Sequence, residues 1–217
     1  MTVIFPHIPK CGGTSIETQL KNLPINVFLD YVAPPTHGGH GKRKSDERNR
    51  EFCDKDFSEY DLVFGHFPID RYVSGRYRYV ALCRDPFARV VSQVNFLMER
   101  YRRGVALNPK AKNCAMQIES GEMSILQYVI QTRMFGVYEL YLCRWPKQRF
   151  TPIGDMTGYD AFLDRLSDLI GCELKKTEMR RKMDYVIEIP DETAAEIKSL
   201  LAEEYEWYRD FIRELTA

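Results

Sequence analysis

The sequence predicts an α/β protein with a central parallel sheet flanked by helices. Two observations lead to this prediction: apolar, β-branched runs that suit buried strands, and the order strand, loop, helix that recurs through the first part of the chain. This order favours parallel strands joined by right-handed crossovers. A chain of 217 residues is long enough to bury a substantial core, and we expect a single domain over residues 1–217.

The composition is that of an ordinary globular protein, because 44% of the residues are hydrophobic and 29% are charged. The 31 basic residues balance the 31 acidic ones, so nucleic acid is not an expected partner. The six cysteines include no C-x-x-C pair, which predicts neither disulfides nor a zinc site and favours a reducing compartment. No apolar run is long enough for a transmembrane helix, and prolines and a lysine interrupt the N-terminal apolar stretch that a signal peptide would need.

The predicted elements follow from apolar periodicity and from capping signals. Strands are predicted from Val3 and over residues 26–32, 60–68 and 77–83. Helices are predicted after the first strand, from Pro86 with Asp85 as its cap, over residues 123–141 and 159–170, and from a cap at Asp191 to about residue 215. We expect residues 104–122 to form a connecting loop.

The loop after the first strand is the most informative stretch. Its residues are Lys10, Cys11, Gly12, Gly13, Thr14 and Ser15. Paired glycines let a backbone turn sharply and approach a ligand closely, and we expect Thr14 and Ser15 at the N-cap and first turn of a helix. Such a helix start attracts phosphate or sulfate, and Lys10 adds a positive charge. The alternative is a capped turn that binds no ligand.

Further polar residues follow the later strands. Ligands of open α/β sheets bind at the carboxyl ends of the strands, so His66 is expected on the same rim as Lys10. Arg84 ends the next strand, and Ser92 lies two turns into the following helix. The alternatives are a structural histidine, and a salt bridge from Arg84 to Asp85 or to another neighbour.

These residues carry a family resemblance. The loop resembles the phosphosulfate-binding loop of sulfotransferases that use 3′-phosphoadenosine 5′-phosphosulfate (PAPS). It is most similar to the carbohydrate group that includes heparan sulfate 2-O-sulfotransferase, with its pattern P-K-x-G-[GS]-T-[ST]. The string from Arg84 to Ser92 resembles the R-[DN]-P-x-x-R-x-x-S motif that binds the 3′-phosphate in this family. The Gly-His pair that ends in His66 is similar to the element that carries the catalytic base in the carbohydrate group.

The resemblance implies a PAPS-dependent sulfotransferase with a P-loop, nucleotide-kinase-like three-layer sandwich. The loop from Lys10 to Ser15 would hold the 5′-phosphosulfate, and Arg84 with Ser92 would hold the 3′-phosphate. His66 would be the catalytic base, and Lys10 would stabilise charge on the leaving oxygen. The acceptor would be a hydroxyl, and the motifs favour one on a glycan. The scheme requires no metal.

Two rival functions stay open at this point. A small-molecule kinase using ATP and Mg²⁺ is disfavoured because the G-K-[ST] of a Walker A loop and an obvious magnesium-holding strand-end aspartate are missing. A non-catalytic nucleotide-binding scaffold is disfavoured by the intact set of candidate residues. The sequence assigns no role to the His37–His40 loop or to the basic run Arg180–Lys182, and it does not indicate an oligomeric state. Golgi carbohydrate sulfotransferases carry a membrane anchor that this sequence lacks, so we expect a cytoplasmic relative or a trimmed form of a longer protein.

Overall fold

The structure, a computed structural model, describes residues 1–31, 55–73, 76–175 and 186–213. Within these ranges the strands are β1 (Val3–Pro6), β2 (Val27–Asp30), β3 (Leu62–Gly65), β4 (Arg78–Cys83) and β5 (Phe150–Asp155). The α-helices are α1 (Gly13–Leu20), α2 (Pro86–Arg102), α3 (Pro109–Glu119), α4 (Ile125–Thr132), α5 (Val137–Leu142), α6 (Tyr159–Ile170), α7 (Asp191–Leu200) and α8 (Ala202–Arg213). The loop with His37 and His40 and the basic run Arg180–Lys182 lie outside the described residues. None of the helices in the described ranges is long and apolar enough to cross a membrane.

The five strands form one sheet in the order β2-β3-β1-β4-β5. Every neighbouring pair is parallel, which confirms the predicted α/β class. β1 is the central strand, and its residue Pro6 pairs with Gly65 of β3. A histidine follows each of these two strands, so His7 and His66 lie side by side at the carboxyl edge of the sheet.

The chain divides into two compact units, and each has a hydrophobic core of its own. The first unit contains Met1–Arg84, Val137–Glu178 and Tyr208–Ala217, and it holds the sheet. The second contains Asp85–Gly136 and Met179–Trp207. The single-domain organisation expected from the chain length stays a prediction.

The core of the first unit packs helices α1 and α6 against the sheet. Both helices bury residues at helical spacing. The buried residues on them are Ile16 and Leu20 of α1 and Phe162, Leu163, Leu166 and Ile170 of α6. Phe5 of the central strand makes edge-to-face contacts with Phe64 and Phe162, at centroid distances of 5.2 and 5.6 Å. The helix predicted over residues 159–170 therefore has its expected bounds and packs on the sheet.

The apolar pattern of the sequence does not predict strand β5. Its sequence FTPIGD contains a proline and a glycine, which are both unusual inside strands. Among the described strands, β5 lies at the edge of the sheet and pairs only with β4, and an edge strand tolerates proline. Local propensities do not indicate this strand because its partner, β4, lies far away in the chain.

The loop predicted over residues 104–122 is wrong, because this segment contains helix α3. The Asn108 side chain accepts a hydrogen bond from the amide of Ala111 at 2.8 Å, and Pro109 occupies the first helical position. Both are standard helix-start signals. They are present in the sequence, but the weak apolar periodicity of the segment obscured them.

The single helix predicted over residues 123–141 is also wrong, since the segment forms α4 and α5. Ser124 and Gln127 form a capping box at the start of α4. Arg133 then adopts a left-handed conformation with φ of 51°, and Gly136 follows with φ of 69°. Two left-handed residues so close together end one helix before the next begins.

The C-terminal helix predicted from a cap at Asp191 is likewise corrected. Pro190 is the N-cap, and Asp191 is the first helical residue. There the negative charge of its carboxylate interacts favourably with the positive end of the helix dipole. Leu201 separates α7 from α8. Ile197 and Leu201 are fully buried and belong to the core of the second unit.

A buried ion pair lies at the end of β2. Arg71 donates a hydrogen bond to Oδ2 of Asp30, and both side chains are 0% exposed. The Tyr72 hydroxyl donates to the same oxygen at 2.9 Å. The Asp30 carbonyl accepts the amide of His66 at 2.8 Å. The ion pair therefore stabilises the backbone that carries His66.

Asp30→Ala should lower the free energy of unfolding by about 3–5 kcal/mol, because Arg71 would keep a buried charge without its partner. Glu139→Ala is the control in the same unit. It removes an exposed ion pair with Arg144 and should cost less than about 1 kcal/mol. Denaturant unfolding followed by circular dichroism measures both variants. Equal losses would contradict the stabilising role of the buried pair.

Candidate active site

The loop between β1 and α1 turns at Gly12. This residue is the N-cap of α1 and has a left-handed φ of 77°. A Cβ atom there would lie 3.0 Å from Sδ of Met156 and 3.1 Å from the ring of Tyr159, so the backbone conformation favours glycine and the neighbouring side chains would crowd any larger residue. Thr14 and Ser15 lie in the first turn of the helix as expected, but the N-cap is Gly12 and not one of these two hydroxyl residues.

The start of α1 presents unpaired backbone donors. The amides of Gly12, Gly13 and Thr14 make no hydrogen bond to the described residues, as is usual at the beginning of a helix. The guanidinium of Arg84 reaches this loop, with Nη1 3.4 Å from the carbonyl oxygen of Lys10. Backbone donors, the helix dipole and two cationic residues thus adjoin one another. This combination suits a phosphate or sulfate group.

Arg84 is positioned by helix α5. Its amide donates to the Tyr138 hydroxyl at 3.1 Å, and that hydroxyl in turn donates to the Arg84 carbonyl. Tyr138 is buried, so it fixes the backbone at the end of β4. The Arg84 side chain therefore leaves the sheet from a defined point beside the glycine loop.

The remaining motif residues belong to the second unit. The Asp85 side chain caps α2 as predicted and accepts the amide of Ala88 at 2.8 Å. Arg89 is buried and donates to the Met134 carbonyl at 2.6 Å and to Glu204 at 3.1 Å, so its guanidinium has a structural role within this unit. Ser92 is half-buried on α2, and its role in binding stays a prediction.

Two imidazoles meet where β1 and β3 end. Nε2 of His66 lies 3.2 Å from Nδ1 of His7. His7 is buried and stacks on the Phe64 ring at a centroid distance of 5.3 Å, whereas His66 is half-buried. Motifs in the sequence indicate His66 but not His7. Each histidine is the first residue after a strand, but only the pairing of the two strands reveals that they are neighbours.

Both imidazoles have lowered pKa values. Burial is the main cause for His7, whose pKa falls to about 3, and the nearby His66 and Lys10 lower it further while Glu17 opposes them. Burial also lowers the pKa of His66, again opposed by Glu17. Both rings are therefore neutral at neutral pH, and a neutral imidazole is able to accept a proton.

Two tyrosine rings flank His66. Tyr31 lies edge-on at a centroid distance of 4.9 Å, and Tyr141 lies edge-on at 6.2 Å. The Tyr31 hydroxyl donates to Glu17 at 2.9 Å, and Glu17 also pairs with Lys21 at 2.8 Å. Two tyrosine rings thus pack nearly perpendicular to the imidazole, and the Glu17 carboxylate, which opposes the lowering of the His66 pKa, is itself bound by Tyr31 and Lys21.

Two aspartates end strands at the carboxyl edge of the sheet, and no motif in the sequence marks either of them. Asp30 ends β2 and is bound by Arg71 and Tyr72. Asp155 ends β5; it accepts two hydrogen bonds from Thr157, at 2.8 and 2.6 Å, and one from the Tyr208 hydroxyl at 2.6 Å. Both carboxylates are buried and engaged within their own unit. Within the described ranges, no group of three or more histidines, cysteines or acidic residues is arranged to hold a metal ion.

A parallel sheet whose central strand leads into a glycine loop and the start of a helix defines a P-loop-like α/β protein. The model of the sulfotransferase family matches residues 2–183. The chain therefore belongs to the sulfotransferase family, as its motifs predicted.

The chain is also similar to a solved structure, mouse sulfotransferase SULT7A1 complexed with PAP. The identity is 12%, the match covers 82% of this chain and 61% of that chain, and the TM-score is 0.33. At this identity and TM-score the likeness adds nothing to the family assignment. A comparison with the curated proteins finds no match.

The lowered pKa of His7 predicts that the protein loses stability in acid. The unfolded histidine takes up a proton near pH 6.5, whereas the folded one does so only near pH 3. Because the unfolded state binds the proton first, the free energy of unfolding should fall by up to about 1.4 kcal/mol per pH unit below pH 6.5. Denaturant unfolding between pH 7 and pH 5 should show a smaller slope for His7→Phe than for the wild type. Parallel slopes would mean that folded His7 titrates normally.

Proposed function

We propose that this protein transfers the sulfuryl group of PAPS to an acceptor hydroxyl. The observation that supports the proposal most directly is the glycine loop in a chain of the sulfotransferase family: among the described residues its first helix amides have no partner, Arg84 reaches its Lys10 carbonyl, and His7, the neighbour of His66, lies against its Gly13. An anion site next to a neutral imidazole suits an anionic donor and an acceptor that must lose a proton.

In this proposal the nucleotide is held at both of its phosphate ends. The loop from Lys10 to Ser15 binds the 5′-phosphosulfate through its backbone amides and the Lys10 ammonium group. The Cys11 side chain is 1% exposed, so Cys11 contributes through its backbone. Arg84 and Ser92 bind the 3′-phosphate, because a guanidinium fork and a hydroxyl suit a phosphate dianion.

The reaction is an in-line displacement at sulfur. The acceptor oxygen forms a bond to sulfur while its proton passes to His66. The bond from sulfur to the bridging oxygen breaks, and adenosine 3′,5′-bisphosphate (PAP) leaves with that electron pair. Lys10 stabilises the charge that develops on the leaving oxygen. The scheme assigns no step to a metal.

The proposed acceptor is a carbohydrate, as in the heparan sulfate 2-O-sulfotransferase group that the motifs resemble. The edges of Tyr31 and Tyr141 beside His66 support it, because pockets for small organic groups are lined by aromatic side chains with a few polar groups among them. The cytoplasmic location and the absence of a nucleic-acid partner stay predictions.

Thermal unfolding with PAP, and separately with ATP and Mg²⁺, tests the cofactor. A ligand at a hundred times its dissociation constant adds about 2.7 kcal/mol to the stability. We expect a clear shift of the melting temperature with PAP. A shift with ATP and Mg²⁺ alone would favour the kinase, and no shift with either would favour the non-catalytic scaffold.

Arg84→Ala should weaken PAP binding by roughly 10- to 100-fold, which is the value of a charge-assisted hydrogen bond. Arg78→Ala is the matched control, because Arg78 is exposed at the opposite end of the same strand. It should leave the affinity unchanged. Titration calorimetry with PAP measures both variants, and equal affinities would exclude Arg84 from the nucleotide site.

His66→Ala should lower the turnover of PAPS by roughly 10²- to 10⁴-fold, the usual contribution of a general base. Desulfated heparan sulfate serves as the acceptor probe. The thermal shift with PAP should persist, because the base does not hold the nucleotide. Turnover close to that of the wild type would contradict the role of His66.

A further inference from the structure

We propose that His7 is a positioning residue for His66. Its Nδ1 atom accepts a hydrogen bond from Nε2–H of His66, which leaves Nδ1 of His66 as the atom that takes the proton of the acceptor. This inference rests on the proposed function and deepens it, because it names the proton-accepting atom and the residue that selects it.

His7 is held in place on several sides. Its strand register places it next to His66, and the nitrogen-to-nitrogen distance is 3.2 Å. One face of its ring stacks on Phe64. The ring also lies against Gly13, where a Cβ atom would come within 2.0 Å of it. A buried ring packed in this way presents Nδ1 to His66 in a fixed geometry.

The direction of the hydrogen bond follows from what a base requires. If His7 donated its proton to Nε2 of His66, the neutral His66 ring would carry its own proton on Nδ1 and would have no lone pair left for the acceptor. If His66 donates instead, its Nδ1 lone pair is available. Among the described residues, the His66 ring makes its hydrogen bond through Nε2 to His7, and its Nδ1 atom has no partner. Only the second arrangement combines the observed contact with a working base.

The same arrangement stabilises the protonated ring during the reaction. When His66 accepts the proton, its Nε2–H continues to donate to His7, which gains and loses no proton. The titratable groups around the pair are Lys10, Glu17, Tyr31 and Tyr141. Burial lowers the pKa of His7 to about 3, so at neutral pH the ring is uncharged and can act as an acceptor.

Nitrogen NMR of the wild-type protein tests the pair without cofactor or acceptor. The chain contains four histidines, so the ring signals are few enough to assign. At pH 7 we expect His7 and His66 both to carry their protons on Nε2, with a scalar coupling across the N–H···N hydrogen bond. Protons on Nδ1 of both rings, or no coupling between them, would overturn the inference. Because PAPS is absent, this result does not depend on the proposed function.

Two variants of His7 test its effect on the reaction. Asparagine keeps an acceptor close to the position of Nδ1, whereas phenylalanine keeps the ring packing but has no acceptor. With PAPS and desulfated heparan sulfate, His7→Phe should lower kcat by roughly 100-fold, as expected for a misplaced catalytic group. The PAP-induced thermal shift should not change. His7→Asn should recover most of the lost rate.

The pH profile separates positioning from folding. In His7→Phe the imidazolium of His66 loses its acceptor, so the acidic limb of kcat/KM should move to lower pH. An unchanged kcat in His7→Phe, or equal losses in both variants with no movement of the limb, would overturn the role of His7. A wild-type protein that neither binds PAP nor turns over PAPS would instead overturn the proposed function, and the NMR result would still decide the hydrogen bond.

Discussion

The parallel pairing of β1 with β3 is the constraint on which the site depends. A histidine follows each of these strands, His7 after β1 and His66 after β3. Because Pro6 pairs with Gly65, the two rings meet at the carboxyl edge of the sheet. The same central strand leads directly into the loop of Lys10 and Gly12. One register thus places the start of helix α1 beside the neutral imidazole of His7. If the register of one of these strands shifted by one residue, the side chains of that strand would turn to the opposite face of the sheet, and the two histidines would separate.

Burial gives these residues their chemical properties. An exposed histidine titrates near neutral pH, but His7 is buried against Phe64 and Gly13, and its pKa falls to about 3. A ring that cannot become charged is a reliable hydrogen-bond acceptor. Its burial carries a cost, since the protein becomes less stable in acid. Asp30 and Arg71 show the other solution for buried polar groups: each charge neutralises the other, and the Asp30 carbonyl holds the amide of His66.

The sequence predicted the elements whose signals are local. The first strand, the cap at Asp85, the helix over residues 159–170 and the candidate residues Lys10, His66 and Arg84 all follow from runs, caps and motifs. It failed where distant parts of the chain decide the outcome. β5 contains a proline and a glycine, and it is a strand because it adds to the edge of a sheet that already exists. Helix α3 had only capping signals, without the apolar periodicity that makes a helix easy to predict.

Local sequence was sufficient for the class of fold, the glycine loop before the first helix and membership in the sulfotransferase family, because short-range backbone preferences and motif chemistry do not depend on the partner strand. The strand order, the engagement of Asp30 and Asp155, and the meeting of His7 with His66 required the folded protein. In the sequence the two histidines are separated by 59 positions, and nothing near either of them indicates the other. The distance of 3.2 Å between Nε2 of His66 and Nδ1 of His7 results from strand order and register, which are set by how the whole sheet packs.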